Sequence, residues 1–565
     1  MSTGAVLIAK TLKALGVTVA FGIIGIPIVE VGDALIDEGI KFITFRNEQA
    51  ASYAASAYGY LTGKPGVLLV VGGPGIIHAL PGVFNSNSNR WPLLVIAGSS
   101  SFNDINKGGF QELDQISLLT PMTKFAARPL NLNQVPQFFY KAYKTSFFGT
   151  PGSTYIDIPA DLVEYPIVAA QQEELLKTIK PILPENAPKF RGDSLQIAKV
   201  ANLLKSSKNI LVVVGKGAAY ANASKELRNF VEKYNLPFLP TPMGKGVIPD
   251  DSPLNVSSAR SLALKYADVV LLLGARLNWI LHFGEVPRFK ENVKFVQVDN
   301  HSEDIGENSP FSLEYGIVGD LAMVTEELDL KLANYRGQGI PKFIQDEIQK
   351  NTQSLLLKEN TRESQLNYNN VYKVIRDIIT PIDSKIILVS EGANTMDIAR
   401  ISFPQNYSKQ RIDAGTNATM GVGLGYAIAS KASNLGKIVV AIEGDSAFGF
   451  SGLEIETAVR SKLPIIVILM NNSGVYHGTD DHQYGEFKTL PSTALSKDTR
   501  YDILAKSLGA EGYLVKDEQS LSRSFKLALD NYEHNISTLI NVIISPGKVK
   551  KIGFGWQNKQ SAAKL

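Results

Sequence analysis

The 565-residue chain contains no cysteine. Disulfides, thiolate metal sites and a cysteine nucleophile are therefore excluded, while the compartment is left open. Long hydrophobic runs are also missing. The most apolar stretches, such as Ile465 to Met470, fall far short of the about 20 residues that a membrane-spanning helix needs. Nor is there an excess of charge of one sign. The net charge is +3 and Lys and Arg are spread along the chain, so no basic patch marks a nucleic-acid partner. Met1 to Gly16 lacks the layout of a signal peptide. What remains is a globular composition, 44% hydrophobic and 20% charged, in a chain long enough for roughly three or four domains.

Short Val/Ile/Leu runs alternate with helical patterns in three blocks, which predicts α/β domains with parallel sheets covered by helices. Strands are expected at 17–24, 41–45, 66–71, 92–97 and 154–158 in the first block. In the second they fall at 210–214, 269–273 and 293–298, and in the third at 385–389, 438–442, 465–470 and 539–544. A Pro-rich, charged stretch at 171–192 and a polar, partly helical one at 335–370 read as linkers. The domains are placed at 1–185, 190–345 and 365–565.

Blocks one and three follow one plan. In each, an Ala/Gly-rich helix leads through Gly-Lys into a strand that ends in a glycine turn, and a later strand begins at a proline. Gly72 to Pro92 and Gly444 to Pro464 are both separations of 20 residues, as an internal duplication would give. Ligands of open α/β sheets sit at the carboxyl ends of the strands. Two such copies facing each other would hold the two ends of one long cofactor.

The strongest chemical signal is Glu443-Gly444-Asp445-Ser446 followed by Asn471-Asn472-Ser473-Gly474. The strand at 438–442 delivers Asp445 to a strand end, and a helix expected near Ser451 would offer its N-terminus to phosphate oxygens. Asn472 arrives at the same edge from the next strand, 27 positions later. Magnesium takes a near-octahedral set of oxygens, and Asp445, the Asn472 amide and the Gly474 carbonyl could supply the protein half. For a lone Gly-Asp, a pair of turn caps would be the simpler reading; the spacing and the intervening strand–helix–strand argue for the metal.

This arrangement resembles the thiamine diphosphate motif, which opens Gly-Asp-Gly and closes Asn-Asn, with Ser446 standing at the third position here. The stretches 443–456 (EGDSAFGFSGLEIE), 22–27 (GIIGIP) and 391–397 (EGANTMD) narrow the resemblance to the branch of oxalyl-CoA decarboxylases and 2-hydroxyacyl-CoA lyases. It implies three doubly wound parallel-sheet domains, pyrimidine-binding, central and diphosphate-binding, with thiamine diphosphate and Mg2+ as cofactors. The implied subunit arrangement is a homodimer or homotetramer whose sites join the first domain of one copy to the third of another. Glu48, which follows the strand at 41–45 and opens an Ala-rich helix, would be the carboxylate beside the aminopyrimidine; read alone, it is an ordinary first-turn acid favoured by the helix dipole, and the diphosphate motif and the repeat reverse that reading. Met420 would support the bent cofactor and the Ala418 carbonyl would accept from its amine, although relatives commonly have Gly there. Gly444, Ser446, Glu391 and Asn394 would lie near the diphosphate.

The branch implies cleavage of the bond next to a CoA thioester carbonyl, releasing an aldehyde from a 2-hydroxyacyl-CoA or carbon dioxide from oxalyl-CoA, with formyl-CoA common to both. His78 in Gly73-Pro74-Gly75-Ile76-Ile77-His78, together with Gln111 and Glu112, resembles the lyase pattern. A base for the 2-hydroxyl suits a histidine, while a plain helix histidine and two surface residues remain the alternative. Tyr476 follows the metal motif and is either a partner of the reacting carbon or a core tyrosine. Arg400 and Arg411 are candidates for CoA phosphates, as is the basic tail with Lys548, Lys550, Lys551, Lys559 and Lys564. Arg276 and Asp299 stand at strand ends of the middle block, where decarboxylases of this branch bind ADP. Ala563-Lys564-Leu565 resembles the Ser-Lys-Leu address read by the peroxisomal import receptor, so a peroxisomal enzyme is expected. A non-catalytic relative is the remaining alternative, disfavoured by the joint presence of Glu48, Asp445 and Asn472.

Overall fold

The computed structural model describes residues 2–479 and 490–547; the basic tail and Ala563-Lys564-Leu565 lie outside the described residues. Three parallel sheets form the chain, each flanked by helices, as the alternating runs predict. The first has the order Lys41–Thr44, Val19–Ile23, Gly66–Val70, Leu93–Ser99, Ser153–Pro159 and Ala126–Ala127. The third runs Arg411–Asp413, Ile386–Glu391, Ile438–Gly444, Ile466–Asn471, Thr538–Ile543 and Glu511–Val515. Counted within its own domain, the strand order of both is 2-1-3-4-6-5, so the repeat seen in the glycine and proline spacing is a repeat of topology. The middle sheet has five strands, with Phe238–Pro240 and Gly316–Val318 at its edges.

Interior strands such as Gly66–Val70 and Val269–Leu273 are buried at every residue, which is why they read as unbroken apolar runs. The two duplicated domains pack on each other through the helices Glu48–Thr62 and Gly423–Ser433. Small residues make that approach close: a Cβ on Gly425 would lie 2.7 Å from the Ala50 carbonyl oxygen. The seam is keyed by Asn85, whose Nδ2 donates to the Tyr426 hydroxyl at 2.7 Å, and by the buried Glu454 carboxylate, which accepts from the Arg46 N–H at 3.1 and 3.2 Å. Burial pushes the Glu454 carboxyl up to about 7.

One sequence expectation is corrected. The helix placed near Ser451 is instead a single turn at Asp445–Phe448 and a separate helix at Glu454–Arg460, because the glycines at 449 and 452 break the run between them. Helix Ala169–Leu176 runs into the first linker, and the second is partly helical as expected, through Lys342–Asn360. Its penultimate residue, Glu359, is 1% exposed and forms a bidentate pair with Arg376 at 2.6 and 2.9 Å, anchoring the linker to the third domain.

Candidate active site

The end of Ile438–Gly444 places Asp445 with its carboxylate buried, Oδ1 accepting from Ser446 N–H at 3.0 Å and Oδ2 from Gly474 N–H at 3.1 Å. Burial pushes its carboxyl up to about 7, against the pull of those backbone donors. Asn472, just past the end of Ile466–Asn471, donates through Nδ2 to the Tyr476 carbonyl at 3.3 Å. Turned over, that amide donates to the Gly474 carbonyl oxygen at 2.8 Å and to Asp445 Oδ1 at 3.2 Å. A carboxylate, a side-chain amide and a backbone carbonyl thus converge on one point, the kinds of oxygen donor that a hard divalent cation takes. The donor set therefore fits the group that the motif implies.

Around this point the chain adopts backbone that side chains seldom take. Ser473 and Tyr476 have φ of 58° and 62°, and Ala418 in the facing loop has 49°; such conformations cluster at ligand clamps. Asn394 also donates to the Tyr476 carbonyl, at 3.1 Å, so two asparagines hold that turn. Tyr476 itself is half-buried against His477, and is not a core tyrosine. Met420 is half-buried too, at the head of a turn whose Gly421 and Gly423 N–H groups donate to the Glu391 carboxylate, the latter at 2.6 Å. Glu391 lies level with Glu443 on the neighbouring strand. Burial drives both carboxyls up, Glu391 to about 7 and Glu443 further, where the Glu391 charge adds to the effect. Thr479 Oγ1 and Ser451 Oγ are buried and find no partner among the described residues. A Cβ on Gly474 would come 2.9 Å from that Thr479 oxygen. No motif in the sequence points to Thr479, since only the fold of the loop brings it back to Gly474.

In the first domain Glu48 is the first residue of its helix, capped by Asn47, and His78 lies in the helix Pro74–Asn89 beside it. Glu48 Oε2 and His78 Nδ1 are 3.2 Å apart. Gln111 has φ of 54° and its carbonyl packs on Gly73, the residue before that helix. Glu112 faces its own loop, accepting from the N–H groups of Asn106, Gly108 and Gly109, which hold its carboxyl below the usual range. No hydrogen bond joins Glu48 or His78 to the 391–479 segment of the same chain among the described residues. The two halves of the site are thus each well formed and separately presented.

The remaining candidates divide. Arg400 is partly exposed and pairs with Asp397 at 2.8 Å and Asp413 at 3.2 Å. Arg411 is 1% exposed and donates to Ser390 Oγ at 2.9 Å beside Asp413; it is a cation of the domain interior, closed to a phosphate in solvent. Arg276 and Asp299 line one cavity with Tyr60, Trp91, Lys216 and Tyr220. Arg276 is already committed there, donating to the Ser88 carbonyl at 2.8 Å, and Lys216 holds Thr416 Oγ1 at 2.8 Å.

Comparison with known proteins settles the family. Three family models match: the thiamine pyrophosphate enzyme N-terminal TPP binding domain over residues 2–118, its central domain over 197–328 and its C-terminal TPP binding domain over 391–542. The chain is 52% identical over 562 residues to a 2-hydroxyacyl-CoA lyase of Saccharomyces cerevisiae, covering 98% of each. It is 41% identical to human 2-hydroxyacyl-CoA lyase 1 over 576 residues, 99% of this chain and 97% of that one. An oxalyl-CoA decarboxylase of Escherichia coli strain K12 is 36% identical over 552 residues, 97% of this chain and 95% of that one.

The chain belongs to the thiamine pyrophosphate enzymes, in the branch of the 2-hydroxyacyl-CoA lyases and oxalyl-CoA decarboxylases. Thiamine diphosphate is its cofactor. The two half-sites belong to the domains that the family models name as TPP-binding, and no helix among the described residues is long and apolar enough to cross a membrane.

Proposed function

We propose that this enzyme cleaves 2-hydroxyacyl-CoA between the thioester carbonyl and the hydroxyl-bearing carbon, releasing formyl-CoA and an aldehyde. The observation that carries the choice over oxalyl-CoA is His78 set against Glu48 at 3.2 Å, a second proton carrier that loss of carbon dioxide does not need. Bound thiamine diphosphate supplies the carbanion and the electron sink. The chain supplies the rest. Asp445, Asn472 and the Gly474 carbonyl would hold Mg2+, which would supply positive charge for the diphosphate. Glu391 fixes the turn that carries Met420. Glu48 would hold the proton exchanged with the aminopyrimidine, and His78 would take the proton of the 2-hydroxyl as the carbon–carbon bond breaks. Arg400 meets the CoA phosphates at the edge of the third domain. We extend the proposal to ADP in the central cavity, whose wall holds Arg276 and Asp299.

Completing the site takes a second copy of the chain. Ile77, Phe84 and Phe110 near Glu48, and Phe450 and Leu453 beside the diphosphate turn, are 48–76% exposed, an apolar cover that a homodimer or homotetramer would bury. Ala563-Lys564-Leu565 supports a peroxisomal address, and the lyase names of the relatives support a 2-hydroxyacyl-CoA substrate. The test is product analysis with thiamine diphosphate and Mg2+ present. A long-chain 2-hydroxyacyl-CoA is expected to give aldehyde, and oxalyl-CoA little carbon dioxide. The reverse preference would make the chain a decarboxylase and remove the role given to His78.

A further inference from the structure

A buried polar relay lies under the first-domain half-site, and none of its members touches the cofactor positions described above. Gln115 is 1% exposed at the start of the helix Gln115–Leu119. Both sides of its amide are in use. Nε2 donates to Asp157 Oδ1 at 2.8 Å and to the Gly98 carbonyl at 3.0 Å, and Oε1 accepts from the Gly73 N–H at 2.8 Å. Asp157 is fully buried in the strand Ser153–Pro159; its Oδ2 takes the Arg128 Nε–H and its Oδ1 accepts from the Tyr155 hydroxyl at 3.2 Å.

The chemistry of the relay fixes a direction. A carboxylate accepts only, so Asp157 can face only the nitrogen of the Gln115 amide, and the oxygen must then face Gly73. A buried amide in a low-dielectric setting that satisfied two acceptors and one donor has no second orientation of similar energy. Gly73 has φ of 56°, and a Cβ there would lie 2.4 Å from the Gln111 carbonyl oxygen, so this one residue is where the helix carrying His78 meets the loop carrying Gln111. Gly75, two residues on, sits so close to the site that a Cβ on it would come 3.8 Å from Glu48 Oε1.

We propose that Gln115, oriented by Asp157, is a positioning residue: it fixes the glycine turn at 72–75 and thereby sets His78 against Glu48 and Gln111 against the same turn. Its action runs through His78, so it rests on the function proposed above. A misplacement of about 1 Å costs on the order of 100-fold in rate, and this is the loss expected from Gln115→Glu. That change keeps shape and volume but turns a carboxylate oxygen toward Asp157 and the Gly98 carbonyl.

The experiment is a double-mutant cycle on the full-length holoenzyme, with kcat and KM for a 2-hydroxyacyl-CoA and thiamine diphosphate binding measured for each variant. Gln115→Glu should lower kcat about 100-fold with KM and cofactor binding little changed. The same change made in a His78→Ala background should cause almost no further loss, because the group being positioned is gone. Asp157→Asn is the second variant, expected to behave in the same way, and it carries the test if Gln115→Glu does not bind cofactor. Equal losses with and without His78 would overturn the proposal and leave Gln115 a packing residue. An impaired His78→Ala beside an unimpaired Gln115→Glu would overturn it alone. A fully active His78→Ala would overturn both it and the role given to His78.

Discussion

Glu48→Gln is expected to lower turnover about 1,000-fold while thiamine diphosphate still binds. The amide keeps the volume of the carboxylate and its place at the first position of the helix Glu48–Thr62. Loss of a first-turn acid costs the helix only about 0.3–1 kcal/mol, so the fold and the cofactor cleft should survive. What the variant lacks is a group that can exchange a proton with the aminopyrimidine. Steady-state kcat and a cofactor titration followed by protein fluorescence separate the two effects. Turnover within about tenfold of the parent, below the usual range for a lost acid–base group, would reduce Glu48 to an ordinary helix-start acid.

Asp445→Ala should produce the complementary failure, in binding. Its carboxylate is the sole acid among the three oxygens that converge with Asn472 and Gly474. Outer partners of metal ligands alone are worth about 10–100-fold in affinity, and loss of the charged ligand itself should exceed that for Mg2+ and the cofactor together. Alanine also takes the acceptor from the Ser446 and Gly474 N–H groups, so the comparison is the gain each protein shows on addition of the ligands, not its absolute melting temperature. Melting curves with and without thiamine diphosphate and Mg2+ read this directly. The parent should gain stability on addition and Asp445→Ala should not; an undiminished gain in the variant would place the metal elsewhere.

How much of this was legible depends on burial. The interior strands, buried on both faces, appear as continuous apolar runs and fall within a residue or two of their observed bounds, as at 210–214 and Ile210–Val214. Each strand that went unrecognised lies at a sheet edge: Ala126–Ala127, Phe238–Pro240, Gly316–Val318, Arg411–Asp413 and Glu511–Val515 in the parallel sheets, and Ser2–Thr3 and Pro166–Ile167, which pair only with each other. With a neighbour on one side only, these strands are short or polar and leave no apolar signature. Arg411 shows the same limit in the site. In sequence it stands in a polar stretch and reads as open to a phosphate, whereas the third sheet closes over it and Asp413 neutralises it. Asp445, Asn472 and Gly474 were readable because strand ends and a fixed spacing bring them together locally. Gln115 and Asp157 were not, since 42 residues separate them and only tertiary packing joins them.

The central claim is that one reaction centre is built from the first domain of one copy and the third domain of another. Co-expressing Glu48→Gln and Asp445→Ala chains under different tags, and isolating the species that carries both tags, tests it directly. Each variant alone should be inactive. In the mixed species one site combines both lesions and the other combines an intact Glu48 with an intact Asp445, so about half of the parent activity should return, in line with closed two-fold assembly. A mixed species as inactive as its parents would show that Glu48 and Asp445 serve the same site from a single chain, and would contradict the shared-site account.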